Sequence, residues 1–277
     1  MRTKKKARIP VLAFLLSVAL ILCTVLPVGA IQFGTPDNGN HPYVVMCVFD
    51  VGGAPAWRTT GFLISPYVVI TAGHGTYGTS GGRVTNSANI PTYGVDGYPG
   101  PGSWAIEAAA IYTHPDYRAY PGNGLPNFDA YDVGIVILSE PIVLGEYAAL
   151  PDANLVDTLS NMAGVDLVGY GVNEQQKGGG VSPYDAWTWE RMRYYAPAKI
   201  VPGQGRISDM FVKVTANPGQ GKGGTTFGDS GGPIFLAGTN IAIANNSFVT
   251  NANCDGVTYA QRIDIPEVLD WINETID

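Results

Sequence analysis

Gly228-Asp229-Ser230-Gly231-Gly232-Pro233 is the stretch that decides how this chain is interpreted. A serine flanked by glycines has few neighbouring side chains, so the backbone can turn sharply there and a ligand can come close. Consecutive N–H groups in such a turn can point to one spot, where they would stabilise a negatively charged oxygen. The alternative is a polar turn that only leads into the apolar strand Pro233–Leu236. The segment alone therefore predicts either a reactive serine or a structural turn.

A serine nucleophile needs a base, usually a histidine, and an acid that orients this base. The same segment fits the Gly-x-Ser-x-Gly nucleophile elbow of α/β-hydrolases, a fold in which the histidine follows the serine. No histidine follows Ser230, because the three histidines are His41, His74 and His114. The base must therefore lie upstream, and the α/β-hydrolase interpretation fails.

His74 is the best candidate for this base. It lies in Val69-Ile70-Thr71-Ala72-Gly73-His74-Gly75, where an apolar strand runs into small residues and an imidazole can face a cleft. His41 and His114 each precede a proline, which favours extended surface segments. Taken alone, His74 is equally compatible with a histidine in a structural turn.

Asp132 is the best candidate for the acid. It opens the apolar segment Asp132-Val133-Gly134-Ile135-Val136-Ile137-Leu138. A carboxylate that leads directly into a buried strand is costly unless it is paired, and an imidazole N–H is a suitable partner. Asp129 is the nearby competitor and lies in a turn-rich stretch.

Three segments of the chain, TAGHG (71–75), DVGIVIL (132–138) and GDSGGP (228–233), resemble in this order the signature segments of trypsin-like serine proteases. The resemblance to this chymotrypsin-fold family extends over residues 31–272. It implies an all-β protein made of two packed six-stranded antiparallel β-barrels with a C-terminal α-helix. The barrels would span about 42–145 and about 160–264, and the helix about 266–275.

The resemblance also implies roles for individual residues. His74 would act as general base and then acid, Asp132 would orient it, and Ser230 would be the nucleophile. The backbone N–H groups of Gly228 and Ser230 would form the oxyanion hole, and Ser247 would hydrogen-bond to Asp132. The implied activity is hydrolysis of protein or peptide substrates through an acyl-enzyme, by a monomer that needs no cofactor and no metal. The alternatives are a non-catalytic binding protein on the same fold and an esterase with the same triad.

The substrate-binding residues implied by the resemblance are Gly224, Ser247, Phe248, Val249 and Gly256. Gly224 matches the floor of the primary specificity pocket, where a preference for lysine or arginine needs an acid instead. Val249 replaces a glycine on the pocket wall and would narrow the pocket. The sequence thus predicts small or medium apolar residues at P1, the substrate residue before the cleaved bond.

The composition is consistent with this fold class. Among 277 residues there are 36 glycines and 20 prolines, and only 14% of the residues are charged while 45% are hydrophobic. Such a chain is too apolar to be disordered and too rich in glycine and proline for a helical bundle. Short apolar stretches alternate with turn-rich segments, among them 76–103 and 118–130, which is typical of sandwiches and barrels.

Residues 1–30 are typical of a signal peptide. Five basic residues precede a long apolar run, and the whole segment contains no acidic residue. The run ends with Pro27 and the small residues Val28-Gly29-Ala30. Without this segment 11 basic and 23 acidic residues remain, a net charge of −12, which disfavours nucleic acid as a partner. We expect a secreted, extracellular protein that does not contact the membrane after cleavage. The alternative is a membrane tether formed by the uncleaved segment.

Cleavage after Ala30 would make Ile31 the first residue. In the family, an activating cleavage frees an isoleucine whose ammonium inserts beside the aspartate that precedes the nucleophile. The resemblance therefore implies an activation pair of Ile31 and Asp229. The alternative is that Ile31 belongs to a linker and Asp229 has other partners. Two cysteines, Cys47 and Cys254, lie in the body of the chain, and the sequence leaves their pairing open.

Overall fold

The structure is a computed structural model that describes residues 31, 34–120, 128–171, 192–201, 209–216, 223–250, 254 and 256–277. The signal peptide predicted over residues 1–30 lies outside the described residues. Within the described ranges, no helix is both long and apolar enough to cross a membrane.

Fifteen strands and three helices build the described chain. The first half contains β1 (Thr35–Pro36), β2 (Val44–Val51), β3 (Ala54–Leu63), β4 (Val68–Thr71), α1 (Gly73–Thr76), β5 (Gly81–Thr85), β6 (Ile106–Thr113), β7 (Arg118–Tyr120), β8 (Phe128–Ala130) and β9 (Gly134–Leu138). The second half contains α2 (Leu155–Thr158), β10 (Gly164–Gly169), β11 (Tyr194–Lys199), β12 (Phe211–Ala216), β13 (Pro233–Leu236), β14 (Ala242–Val249), β15 (Gly256–Arg262) and α3 (Pro266–Ile276). The predicted all-β class with a C-terminal helix is confirmed.

The first half closes into a six-stranded antiparallel barrel with the strand order β2-β3-β4-β9-β6-β5. β4 and β9 are neighbours in this barrel, and Thr71 at the end of β4 pairs with Gly134 at the start of β9. The residues that follow β4 and those that precede β9 therefore meet at the same end of the barrel. This register brings His74 and Asp132 together although 58 positions separate them.

The second half forms a curled seven-stranded antiparallel sheet with the order β1-β11-β10-β13-β14-β15-β12. An isolated bridge between Ile200 and Val214 links the chain after β11 to β12, so the sheet curls back on itself. β1 comes from the N-terminal segment and pairs with β11. In β14 the register shifts between Asn246 and Phe248, which sets Ser247 apart as the extra residue of a bulge.

The terminal helix α3 joins the two halves. Pro266 lies in its first turn, a position where the missing N–H costs no hydrogen bond. Val268 and Ile272 are fully buried in the hydrophobic core that contains the first barrel, and Leu269 and Trp271 pack against the same core. The apolar side chains of this helix are therefore the ones that pack.

β5 lies within residues 76–103, which the composition predicts as turns, and this part of the prediction was wrong. Gly82 in β5 allows close packing between strands. A Cβ on Gly82 would lie 2.8 Å from the carbonyl oxygen of Val48 and 3.0 Å from the ring of Phe49. β7 and β8 likewise occupy part of the 118–130 stretch. In β5, a glycine that is typical of turns therefore marks a close approach of two strands.

Both cysteines of the body are buried and remain thiols in the structure. Cys47 lies in β2, inside the first barrel. Burial raises the pKa of its thiol to about 12, and hydrogen bonds with Thr59 and Thr71 offset only part of this increase. A thiol with so high a pKa is not reactive near neutral pH. The first barrel therefore uses Cys47 as a small apolar residue.

Candidate active site

His74 lies in α1, a single helical turn that directly follows β4. The turn is tight: the N–H of Gly75 donates to the carbonyl of Ala72 at 3.1 Å, and the N–H of Tyr77 donates to that of Gly73 at 2.9 Å. A Cβ on Gly73 would lie within 3.0 Å of the backbone of Val133, so the chain before β9 packs directly against this turn. The side chain of His74 is 29% exposed, which leaves its ring accessible to a ligand.

Asp132 is fully buried and holds His74 through two hydrogen bonds. Its carboxylate accepts the backbone N–H of His74 at 2.7 Å and contacts the Nδ1 atom of the ring at 2.8 Å. A carboxylate can only accept, so the proton of that second bond sits on Nδ1. The neutral ring then carries its lone pair on Nε2, which is the form that can act as a base.

The second half of the chain completes the environment of Asp132. The hydroxyl of Ser247 donates to its carboxylate at 2.5 Å. The backbone of Asp132 is also fixed: its N–H donates to Oε1 of Gln261 at 3.2 Å, and its carbonyl accepts from Nδ2 of Asn245 at 2.9 Å. Sequence reasoning identified Ser247 and missed the two amides. The sequence does not single them out, because β14 also contains Asn246 and Ser247 and β15 also contains Thr258 and Arg262.

Ser230 lies in a turn before β13 that is attached to both halves of the molecule. Gly228 has a φ of +98°, a conformation that favours glycine. From β3 of the first barrel, Thr60 donates its hydroxyl to the carbonyl of Gly228 at 2.8 Å and its N–H to the carbonyl of Ser230 at 2.9 Å. The turn therefore has a fixed position relative to the barrel that carries His74.

Alternate N–H groups of this turn point into the protein. The N–H of Asp229 donates to the carbonyl of Thr226 at 3.0 Å, and that of Gly231 donates to the carbonyl of Asn246 at 2.7 Å. A Cβ on Gly231 would lie 2.3 Å from the hydroxyl of Thr71, so only glycine fits there. The N–H groups of Gly228 and Ser230 alternate with these and are the pair predicted to receive an oxyanion.

A cavity of about 240 Å³ brings the predicted residues together. Its described lining consists of His74, Thr225, Thr226, Phe227, Ser230, Asn246, Ser247, Phe248 and Val249. The cavity thus places His74 and Ser230 at one site, next to three of the predicted substrate-binding residues. Gly224 and Gly256 are not among the lining residues: Gly224 packs against Ala216, and Gly256 is exposed.

Comparison with known proteins identifies the family of this chain. The sequence model of the family described as Trypsin matches residues 31–272. The chain belongs to the trypsin family. No curated protein matches it in sequence.

Two solved structures share the fold of this trypsin-family protein. HL collagenase, solved at 1.7 Å resolution, has a TM-score of 0.64 and 19% identity, over 88% of this chain and 96% of that chain. Human heparin binding protein has a TM-score of 0.63 and 16% identity, over 88% of this chain and 95% of that chain. At these identities the likeness shows the fold alone.

In this trypsin-family chain, the aspartate before the nucleophile has its own set of partners. Asp229 is fully buried and accepts the N–H of Gly171 at 2.8 Å, the N–H of Thr226 at 2.8 Å and the hydroxyl of Thr226 at 3.1 Å. Burial raises the pKa of Asp229 to about 6, against the lowering effects of these hydrogen bonds and of the nearby charge of Arg58. Donors within the second half therefore satisfy this carboxyl group.

Ile31 lies elsewhere in this structure. It is buried in the hydrophobic cluster of the second half that also contains Val156 and Val165. Residues 1–30 precede Ile31 in this chain, so its backbone nitrogen is not a free ammonium, and the activation pair of Ile31 and Asp229 stays a prediction.

Part of the cavity lining is polar, which sequence reasoning missed. The hydroxyls of Thr225 and Thr258 lie 2.7 Å apart and are both buried. Asn246 adds a buried carboxamide to the lining. Phe248 also lines the cavity, and its ring stacks on Tyr259 with a centroid distance of 4.9 Å.

The competing base candidates, His41 and His114, lie outside the described lining of the cavity. His41 is bonded through Nδ1 to the carboxylate of Asp37. His114 is buried, and its ring stacks on Tyr131 with a centroid distance of 4.7 Å; burial lowers its pKa. Asp129 belongs to β8, and its side chain lies outside the described part. Among the described residues, no group of three or more histidines, cysteines and acids is arranged to hold a metal ion.

Proposed function

We propose that this trypsin-family protein is a serine endopeptidase that hydrolyses peptide bonds through an acyl-enzyme. The observation that carries the proposal is the pairing of His74 Nδ1 with the buried carboxylate of Asp132 at 2.8 Å, beside Ser230 at one cavity. A histidine held in this tautomer next to an accessible serine is suited to activate the hydroxyl.

The proposed reaction uses only residues of this chain. Ser230 Oγ attacks the peptide carbonyl while His74 Nε2 takes its proton, and Asp132 stabilises the imidazolium that forms. The N–H groups of Gly228 and Ser230 receive the oxygen that becomes negative. His74 then gives its proton to the leaving amine, and a water molecule activated by the same ring hydrolyses the acyl-enzyme.

The hydrogen bonds around Asp132 support this proposal. Ser247, Gln261 and Asn245 bond to its side chain or its backbone, so the carboxylate has few other positions to adopt. Groups that are fixed before the reaction need no reorganisation when charge develops, which is the main source of electrostatic catalysis. The barrel that carries His74 is in turn tied to the serine turn through Thr60.

Hydrolysis of casein and of a small ester, by wild type and by Ser230→Ala, tests the proposal. We expect wild type to cleave both and the variant to cleave neither. Ester cleavage without casein cleavage would instead assign an esterase, and no turnover of either substrate would assign a binding protein. One of the similar structures is a heparin binding protein, and heparin is a polyanion. A net charge of −12 after removal of residues 1–30 disfavours a polyanion as the ligand of this chain.

We also propose that the enzyme is secreted as a monomer after cleavage that follows Ala30. The basic and then apolar character of residues 1–30 supports this part of the proposal. Edman sequencing of the protein from culture medium tests it. A sequence that starts at Ile31 is expected, and a cell-bound protein that retains residues 1–30 would support the membrane tether instead.

A further inference from the structure

Asn246 is an unusual member of the cavity lining. Asn246 is only 2% exposed. In the described part of the chain, neither its Oδ1 nor its Nδ2 atom has a hydrogen-bond partner. Its neighbour Asn245 donates to the carbonyl of Asp132, on the side of β14 that faces the first barrel. Because side chains alternate along a strand, Asn246 points to the other side, where it lines the cavity.

A buried carboxamide without partners is costly. Each polar atom that loses water and gains no hydrogen bond costs about 1–3 kcal/mol. Such groups in native proteins are explained by an ordered water or by a ligand that is not present. The cavity of about 240 Å³ in front of Asn246 offers room for either.

The chemistry of Asn246 restricts which ligand satisfies it. A carboxamide presents one acceptor oxygen and an NH₂ donor side by side, and another carboxamide matches both with two hydrogen bonds. This match holds for either of the two orientations in which the amide can be built. A carboxylate offers only acceptors and an ammonium only donors, so each would leave one end of Asn246 unpaired.

The rest of the cavity favours a neutral polar ligand. The described lining contains no lysine or arginine that would neutralise a carboxylate, and no acid that would pair with a basic side chain. Thr225 is a polar lining residue, and its hydroxyl pairs with the buried hydroxyl of Thr258. Phe248 and Val249 provide apolar walls for the methylene groups that precede a terminal amide.

We propose that this cavity binds the P1 side chain of the substrate and that Asn246 selects a carboxamide, that is, glutamine or asparagine. The inference rests on the proposed peptidase function and names its substrate class. It replaces the apolar P1 preference expected from Gly224 and Val249, since an apolar side chain would leave both amide atoms of Asn246 unpaired. Asn246 is on this account a specificity-determining residue.

The test is a series of peptide p-nitroanilides that differ only at P1, with the purified full protein as enzyme. The series contains glutamine, asparagine, glutamate, methionine, leucine and arginine. We expect kcat/KM for glutamine or asparagine to exceed that for methionine and leucine by at least about tenfold, because sites built to hydrogen-bond a polar group reject analogues that lack it. A higher kcat/KM for leucine, methionine, glutamate or arginine than for both carboxamides would overturn the inference.

Two neighbouring variants provide a matched comparison. Asn246→Leu is expected to lower kcat/KM for glutamine and asparagine by about tenfold or more and to raise it for leucine and methionine. Asn245→Leu, on the other side of the same strand, is expected to lower kcat/KM for all substrates by the same factor, because Asn245 acts through Asp132. An Asn246→Leu enzyme with the wild-type P1 ranking would overturn the inference.

Labelling with a fluorophosphonate separates this inference from the proposed function, because the probe reports on Ser230 and not on P1. Labelling together with an apolar P1 ranking would overturn the carboxamide preference and leave the peptidase proposal intact. Absence of labelling and of any cleavage would overturn both. The wild-type ranking decides the inference even if a variant does not fold.

Discussion

Two buried carboxyl groups lie at this site, and they have different partners. Asp132 lies before β9 of the first barrel and bonds to a histidine ring, a histidine N–H and the hydroxyl of Ser247. Asp229 lies before β13 of the second half and bonds to the N–H groups of Gly171 and Thr226 and to one hydroxyl. Both are fully buried.

The difference between these partners separates chemistry from architecture. His74 can take up a proton, so Asp132 faces a group whose charge changes during the proposed reaction, and its negative charge is then matched. The hydrogen-bond donors of Asp229 are neutral and remain so. We therefore assign to Asp132 the orientation and stabilisation of the base, and to Asp229 the conformation of the serine turn.

The largest effect is expected from Asp132→Asn. The amide NH₂ cannot accept the proton of Nδ1, so His74 would adopt the wrong tautomer, and kcat for a cleaved peptide substrate should fall by about 10⁴-fold. Stopped or continuous assays of both proteins measure the ratio of the wild-type kcat to the variant kcat.

Asp129→Asn is the matched control, since Asp129 was the competing acid. It should keep its activity within about twofold of wild type. A loss of less than about tenfold in Asp132→Asn, or a large loss in Asp129→Asn, would contradict the role of Asp132.

A smaller effect is expected from the titration of Asp229. Its pKa of about 6 in the folded state lies above the usual value of 3.8, so the protonated form stabilises the fold. This contribution is fully present below pH 3.8 and is lost as the pH rises through about 6. A shift of this size corresponds to about 3 kcal/mol.

Urea unfolding between pH 4 and pH 7, of wild type and of Asp229→Asn, measures this contribution. The free energy of unfolding of wild type minus that of the variant should decrease by up to about 3 kcal/mol over this range. A difference that rises with pH would show that Asp229 is stabilised as a carboxylate, and the contrast with Asp132 would be lost.

Ser247→Ala tests whether the environment of Asp132 matters beyond His74. The hydroxyl bond of 2.5 Å to a carboxylate is a charge-assisted one, whose loss costs about 1.5–3 kcal/mol. We expect kcat to fall by about ten- to a hundredfold while KM changes little. An unchanged kcat in a folded variant would remove Ser247 from the positioning of the acid.

The smallest effect is expected from Thr226→Val. The substitution removes one of three donors to Asp229 and keeps the backbone N–H. Thermal unfolding should show a loss of about 1 kcal/mol, and kcat should fall by less than about tenfold because the serine turn loosens. Thr226→Ser retains the hydroxyl and should restore both values, whereas equal losses in the two variants would point to packing instead.

The sequence allowed the prediction of His74, Asp132 and Ser230 because each lies in a short motif next to an apolar strand. The closed barrel then brings the first two together through the pairing of β4 with β9. The fold class followed from the same alternation of apolar stretches and turns. These features depend on local pattern, which a sequence carries directly.

Asn245, Asn246 and Gln261 were not predicted, since their roles depend on the register of β14 with β15 and on the bulge at Ser247. Two adjacent asparagines look alike in a sequence, and only the strand shows that one faces Asp132 and the other the cavity. Gly224 was placed in the pocket by the resemblance, yet it packs against Ala216. The P1 proposal differs from the sequence-based expectation because the buried amide atoms of Asn246 have no hydrogen-bond partner in the described part of the chain.

Reaction of the protein with a fluorophosphonate, followed by mass spectrometry of its peptides, tests the central claim most directly. We expect one adduct per chain, located on Ser230, and almost none in His74→Ala, where the hydroxyl has no base. An adduct on another residue, or an unlabelled Ser230 in folded wild-type protein, would contradict the account.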